Sequence, residues 1–107
     1  MATTPKSEIL NVAALADYQT GSVVSRQVTK AEGGNVTLFA FDEGQELSEH
    51  TAPFDAFVHI LDGEAEVKIS GKTYRLKAGD GIIMPANLPH AVKAIQKFKM
   101  LLTMVHA

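Results

Sequence analysis

The chain has 107 residues, 46% of them apolar, and a net charge of −2, which bounds it to one domain with an ordinary core. Acidic and basic residues are interspersed, so no basic stripe is available for nucleic acid or an anionic membrane. Cysteine is absent, which removes disulfides, iron–sulfur clusters, thiolate chemistry and Cys-ligated zinc. The opening MATTPKSEIL has no long apolar run, and no later stretch approaches the ~20 apolar residues of a membrane span. The expected location is the cytoplasm.

Residues 1–6 are small and polar with a proline and read as a loose terminus. Between Ser7 and Asp17, the apolar residues Ile9, Leu10, Val12, Ala13 and Leu15 allow two readings. Asn11 caps a short helical turn through Ala13 to Ala16, or the segment is an extended arm. Residues 1–20 are therefore assigned as an N-terminal arm of the same domain, and residues 21–107 as its β-barrel.

From Gly21 to Lys30 the chain is β-branched and polar, which predicts a strand. Glu32-Gly33-Gly34-Asn35 is a turn, and Val36 to Phe41 returns as the second strand of a hairpin. Asp42 to Glu49, acidic and containing Gly44, is predicted as a loop leading to His50. Phe54 to Leu61 reads as a strand, Asp62-Gly63 as a two-residue hairpin turn, and Glu64 to Ser70 as its return. That return alternates cleanly, with Ala65, Val67 and Ile69 on one face and charged residues on the other. Ser70-Gly71-Lys72 turns again into Thr73 to Leu76, and Gly79-Asp80 turns into Gly81 to Met84. A loop between Pro85 and Pro89 precedes two last strands, His90 to Ile95 and Phe98 to Val105. At least seven short strands with frequent turns and almost no helix predict an all-β sandwich or barrel.

Phe54 to Leu61 departs from a one-sided pattern. Phe54, Ala56, Val58 and Ile60 lie on one face, and Phe57, His59 and Leu61 on the other. A sheet with one wet face does not need both sides apolar, so something covers the outer side. Leu101, Leu102, Met104 and Val105 raise the same question. The expected cover is a second copy of the chain, making a homodimer with His59 in the interface; the N-terminal segment is the alternative.

Two glycine-bounded segments, each with a histidine, complete the reading. Gly44, His50 and Gly63 stand where the first cupin motif has its first glycine, first histidine and last glycine. Gly79, Pro85 and His90 stand at the glycine, proline and histidine of the second. The chain thus resembles a small single-domain cupin of the conserved-barrel, RmlC-like type. The resemblance implies an all-β double-stranded β-helix, a jelly-roll barrel with a pocket in its mouth. It also implies a divalent transition metal (Zn, Ni, Fe or Mn) held by two histidines and a glutamate of the first motif and the histidine of the second. In this chain only His50 and His90 stand at ligand places. The second histidine place is Ala52 and the glutamate place is Ala56, while Asn87 and Ala94 replace a glycine and an asparagine of the second motif.

The chemistry gives these departures weight. Firm divalent sites take three or four protein ligands, and the non-haem iron triad needs a carboxylate beside two histidines. Asp55 adjoins the lost glutamate place, but strand alternation points it to the opposite face. Glu46 and Glu49 are near His50 in sequence and equally suit a solvated loop. His50 and His90 either ligate one metal together or are pocket histidines hydrogen-bonded to backbone carbonyls; His106 is given no role. Alanine at two ligand places widens and dries the pocket. Lined by Phe39, Phe41, His50, Ala52, Ala56, Val58, Met84 and His90, it suits a small, largely apolar ligand. Two functions follow: a small-molecule-binding barrel with a degenerate metal site, or a metal-dependent dioxygenase or isomerase with a reduced ligand set.

Overall fold

The structure, a computed structural model, describes residues 4–105; the first three residues, His106 and Ala107 lie outside the described residues. Asn11 precedes a single 3₁₀ turn, Val12–Leu15, in which the Ala14 N–H donates to the Asn11 carbonyl at 3.0 Å. The helical reading of the arm therefore holds, although the Asn11 side chain makes no capping hydrogen bond. The strands are β1 (Val23–Ala31), β2 (Gly34–Phe41), β3 (Glu46–His50), β4 (Asp55–Ile69), β5 (Lys72–Lys77), β6 (Gly81–Met84) and β7 (His90–Val105). Among the described residues no helix is long and apolar enough to cross a membrane.

Every pairing is antiparallel, in the order β1-β2-β7-β4-β5, with β3 added on β7 and β6 on β4. Two long strands, β4 and β7, pair along nearly their whole lengths and take part in both halves of the barrel. Residues 55–60 of β4 lie between β6 and residues 100–105 of β7, which continue to β2 and β1. Residues 65–69 of β4 lie between β5 and residues 90–94 of β7, which continue to β3. Two shared strands thus feed two facing sheets, the jelly-roll arrangement.

The turn from one half to the other corrects the sequence reading. Asp62-Gly63 is not a hairpin. The register of β4 on β7 shifts between Ile60 and Asp62 and again between Gly63 and Ala65, so the strand bends through bulges and continues. Gly63 has φ +77°, and a Cβ placed there would lie 1.8 Å from the Lys97 carbonyl oxygen. The same need for a left-handed residue that marks a hairpin turn also marks a bulge. The partner is likewise one strand, not the two predicted between His90 and Val105. The Asp42 to Glu49 loop is a second correction. Only its first part turns, because Gly44 N–H donates to Ala94 O (3.0 Å) and Ala94 N–H to Gln45 O (2.9 Å). Those bonds align β3, and Glu46 pairs with Lys93.

The main core lies between the two halves. Phe41 and Phe98 are fully buried and stack with ring centroids 4.4 Å apart, surrounded by Ile60, Val67, Val58 and Met100. A smaller cluster lies outside β2. Leu38 and Ala40 are fully buried there under Leu15, Ala16 and Tyr18 of the arm, with Leu61 and Leu101 beside them. The N-terminal segment therefore covers this part of the outer face. Tyr18 OH donates to Asp62 Oδ2 at 2.5 Å, Gly21 N–H to Asp42 Oδ2 at 2.7 Å and Arg26 to Leu15 O at 3.4 Å. Lys99 donates to Ala13 O, and the Lys97 and Lys99 ammonium groups lie 5.7 and 5.1 Å from the Tyr18 ring centre. Farther along the same face, Phe57, Ile83 and Val105 stay exposed, at 42, 58 and 59%.

Candidate functional site

Inward-facing residues meet in ranks set by the register. Met84 pairs with Ala56 and Ala56 with Met104; one step deeper, Val58 pairs with Leu102. Small residues at the rim leave space that the deeper ranks fill. The result is a cavity of about 280 Å³ lined by Phe39, Leu47, His50, Ala52, Ala56, Met84, His90, Val92, Met100, Leu102 and Met104. Six of the eight residues expected from the sequence meet here, Phe39, His50, Ala52, Ala56, Met84 and His90. Phe41 and Val58 do not. Both face inward but lie deeper, with no exposed surface; Phe41 is stacked on Phe98 and Val58 is packed in the core.

Leu47 and Val92 are lining residues that the sequence reading does not assign. Met100 and Met104 take the core or pocket-filling role that methionine suits. Leu102 and Met104 face the cavity, which leaves only Leu101 and Val105 of that apolar run on the outer face. Leu47 is hidden because β3 has the composition of a loop. Alternation from Phe98 places Met100, Leu102 and Met104 on one face, and that signal is enough to find them.

The two histidines come from adjacent strands, His50 at the end of β3 and His90 at the start of β7, where they pair. Their Nε2 atoms are 3.1 Å apart and their rings are set edge to face. Each ring is fixed from behind: Nδ1 of His50 lies 2.8 Å from Ser48 O and Nδ1 of His90 3.2 Å from Leu88 O. A carbonyl only accepts, so an Nδ1 bonded to one does so as an N–H donor, and in the Nε2–Nε2 hydrogen bond one ring donates to the other. His50 is exposed while His90 is only 4% exposed. Burial holds the imidazole of His90 below its ordinary titration range; the neighbouring His50 adds to this and the Leu88 carbonyl opposes it.

The loop before His90 is tied down by the residues around it. Asn87, with φ +66°, donates its N–H to Ala52 O at 2.7 Å, and Ala86 N–H donates to Asp55 Oδ1 at 2.8 Å. Asp55 thus faces out of the barrel and anchors the loop. Its carboxylate is not beside the histidines, and Glu46 and Glu49 are exposed on β3. Among the described residues no group of three or more His, Cys, Asp or Glu converges. Two imidazoles, each held from behind at Nδ1, offer a two-point hold. They do not make a metal centre of three or four protein ligands.

The Cupin domain family model matches residues 37–106, which include both histidines and the whole cavity lining. This chain belongs to the cupin family. The cupin is similar to the crystal structure of a conserved protein of unknown function from Streptococcus pyogenes, 34% identical, covering 100% of this chain and 96% of that one, with a TM-score of 0.91. It is equally close in shape to a cupin superfamily protein from Desulfitobacterium hafniense, 26% identical, covering 99% and 97% of the two chains, also with a TM-score of 0.91. A curated relative, polyketide synthase CurC from Streptomyces cyaneus, is 30% identical over 61% of this chain. The matched part spans 43% of that relative's length.

Proposed function

We propose that this cupin is a binding module that takes a small, largely apolar organic molecule into the barrel cavity, with the histidine pair at the ligand's polar end. The supporting observation is the lining: nine apolar side chains and two histidines, without a carboxylate, around about 280 Å³. Such a surface rewards transfer of apolar area from water and offers few groups for general acid–base work. The name of the Streptomyces relative places that protein in polyketide synthesis, which is in keeping with a small organic ligand. At ~0.5 kcal/mol per non-hydrogen atom, a naphthalene-sized probe binds with a Kd of roughly 0.1–1 mM. The test is calorimetric titration with such a probe against the wild type and Ala56→Phe, which fills the cavity. Binding lost in a folded Ala56→Phe supports the module; no binding to the wild type sinks it.

The second reading, a metal-dependent enzyme, rests on the convergent Nε2 atoms. Metal analysis of protein purified without chelator, with a His50→Ala/His90→Ala control, separates the two readings. A stoichiometric metal that disappears in the control would favour the enzyme.

We also propose a homodimer through the outer face that the arm leaves bare. Phe57, Ile83 and Val105 are exposed there, and the Phe57 and His59 rings lie 6.1 Å apart. Apart from Asp55, which holds the Ala86 N–H, these outward positions carry no acidic, lysine or arginine side chain, so two copies can meet without opposing like charges. Light scattering should give twice the chain mass, and Phe57→Glu should return the monomer; a monomeric wild type excludes the dimer.

A further inference from the structure

The rim of the cavity continues into a polar residue that its apolar lining does not reveal. Alternation along β2 puts Asn35 on the same inward face as Phe39 and Phe41, and no register shift interrupts the ladder of β2 with β7. Pairing then carries one row across the sheet: Asn35 with Met104, Met104 with Ala56, and Ala56 with Met84. The last three line the cavity, so Asn35 extends the same rim by one strand. Met104 also lines a hollow of about 220 Å³ that Asn35 shares. The carboxamide therefore stands next to the cavity wall.

Among the described residues, Asn35 Oδ1 is buried and has no hydrogen-bond partner. Its cross-strand neighbours explain why. The thioether of Met104 has no hydrogen to donate, and Lys30, opposite on β1, is an exposed side chain. A carbonyl oxygen so placed loses its hydration without a replacement, which destabilises the fold. Leucine, of similar size and better suited to a strand, would carry no such penalty. A buried unpaired group in a folded chain asks for an explanation, and this one stands at the end of the row that forms the proposed binding wall.

Resting on the binding reading above, we infer that Asn35 is a specificity-determining residue of this cupin, whose Oδ1 accepts a hydrogen bond from a hydroxyl or amino group of the ligand. The apolar body of the ligand lies on Met104, Ala56 and Met84, and its donor reaches Asn35 past the Met104 side chain. That side chain is unbranched and adapts its shape to what it packs against. The ligand class narrows to apolar molecules with a hydrogen-bond donor at the edge. An ether of the same size leaves Oδ1 unpaired, and discrimination of this kind is strong where a buried polar group of the site goes unmatched.

The test uses β-naphthol and its methyl ether, which share the apolar body and differ in the donor. Both are titrated by calorimetry into the full chain and into Asn35→Leu, with chelator present. The wild type should bind β-naphthol about tenfold tighter than the ether, the factor for one well-placed hydrogen bond. Asn35→Leu should remove most of that gap by weakening β-naphthol alone. His50 and His90 are present in both proteins, so any preference they contribute survives the substitution. A gap that persists in Asn35→Leu, or equal affinities in the wild type, overturns the role of Asn35 and leaves the binding module standing. If neither probe binds the wild type, the module falls and the inference with it. Urea unfolding checks the premise: Asn35→Leu should raise the midpoint, and a lowered midpoint would mean that the amide is a partnered structural group, which also overturns the inference. A last reading needs no variant. The side-chain amide signals of Asn35 should move further with β-naphthol than with the ether, and signals unmoved at saturating β-naphthol overturn the assignment.

Discussion

Gly63→Ala probes the bend on which the barrel closes. At φ +77° an alanine costs ~1–2 kcal/mol in backbone strain alone. The new Cβ would lie 1.8 Å from Lys97 O and 2.8 Å from the Cα of Phe98. To reach even the 3.0 Å at which real Cβ contacts begin, the β4–β7 ladder must open by 3.0 − 1.8 = 1.2 Å. Phe98 is stacked on Phe41 in the core, so this opening disturbs packing as well as about one or two backbone hydrogen bonds, each worth ~1 kcal/mol. The expected total is about 2–4 kcal/mol. Gly71→Ala is the control: its φ is +83°, but no atom lies within 4 Å of the added Cβ, so only the ~1–2 kcal/mol of strain applies. Urea unfolding followed by circular dichroism reads both, and with a slope of ~1–3 kcal/mol per molar the Gly63 midpoint should drop by about 1 M or more. If Gly63→Ala costs no more than Gly71→Ala, the close approach at the bulge does not govern the bend.

The remaining predictions follow from the core, the arm and the histidines. Phe98→Ala should cost about 3–5 kcal/mol by urea unfolding, since it removes a fully buried ring from the stack with Phe41. Tyr18→Phe loses the hydrogen bond to Asp62 and should cost roughly 0.5–1.5 kcal/mol; faster hydrogen exchange along residues 12–18 would accompany it. Because burial, helped by Asp62, raises the Tyr18 phenol above its ordinary 10.0, wild-type stability should be full below that pH and decline above it, and Tyr18→Phe should flatten that decline. His90 shifts the other way. The unfolded chain binds its proton more readily than the folded one, so stability should fall as pH drops below the ordinary 6.5 toward the lowered folded value and then level off. His90→Gln should remove that slope in pH-dependent melts.

Much of this fold is legible in the sequence because its signals are local. The alternation of Ala65, Val67 and Ile69 and the turn at Ser70-Gly71 need no distant partner to be read. Misreadings arise where one local signal serves two structures. Asp62-Gly63 asks for positive φ, and only the pairing of Gly63 with Phe98, far along the chain, makes it a bulge instead of a turn. Likewise Glu46-Leu47-Ser48-Glu49 has weak strand propensity, and its strand is imposed by bonds from Gly44 and Gln45 to Ala94.

The site divides in the same way. Motif spacing points to His50 and His90, and the ligand places they occupy point to Ala52 and Ala56. Depth is not readable: Phe39 and Phe41 share a face two residues apart, yet one lines the cavity and the other stacks on Phe98. The orientation of the two imidazole rings is likewise absent from the sequence, because it depends on the carbonyls of Ser48 and Leu88.

Methionine gives the most direct view of whether the cavity is a binding site. The chain has four methionines, and Met84, Met100 and Met104 all line the cavity. With carbon-13 in the methionine methyl groups, an NMR titration with β-naphthol reads the cavity wall itself. A ligand seated in the barrel should move these three methyl signals together, saturating with one dissociation constant. Saturating probe that leaves all three unmoved would contradict a binding module built on this cavity.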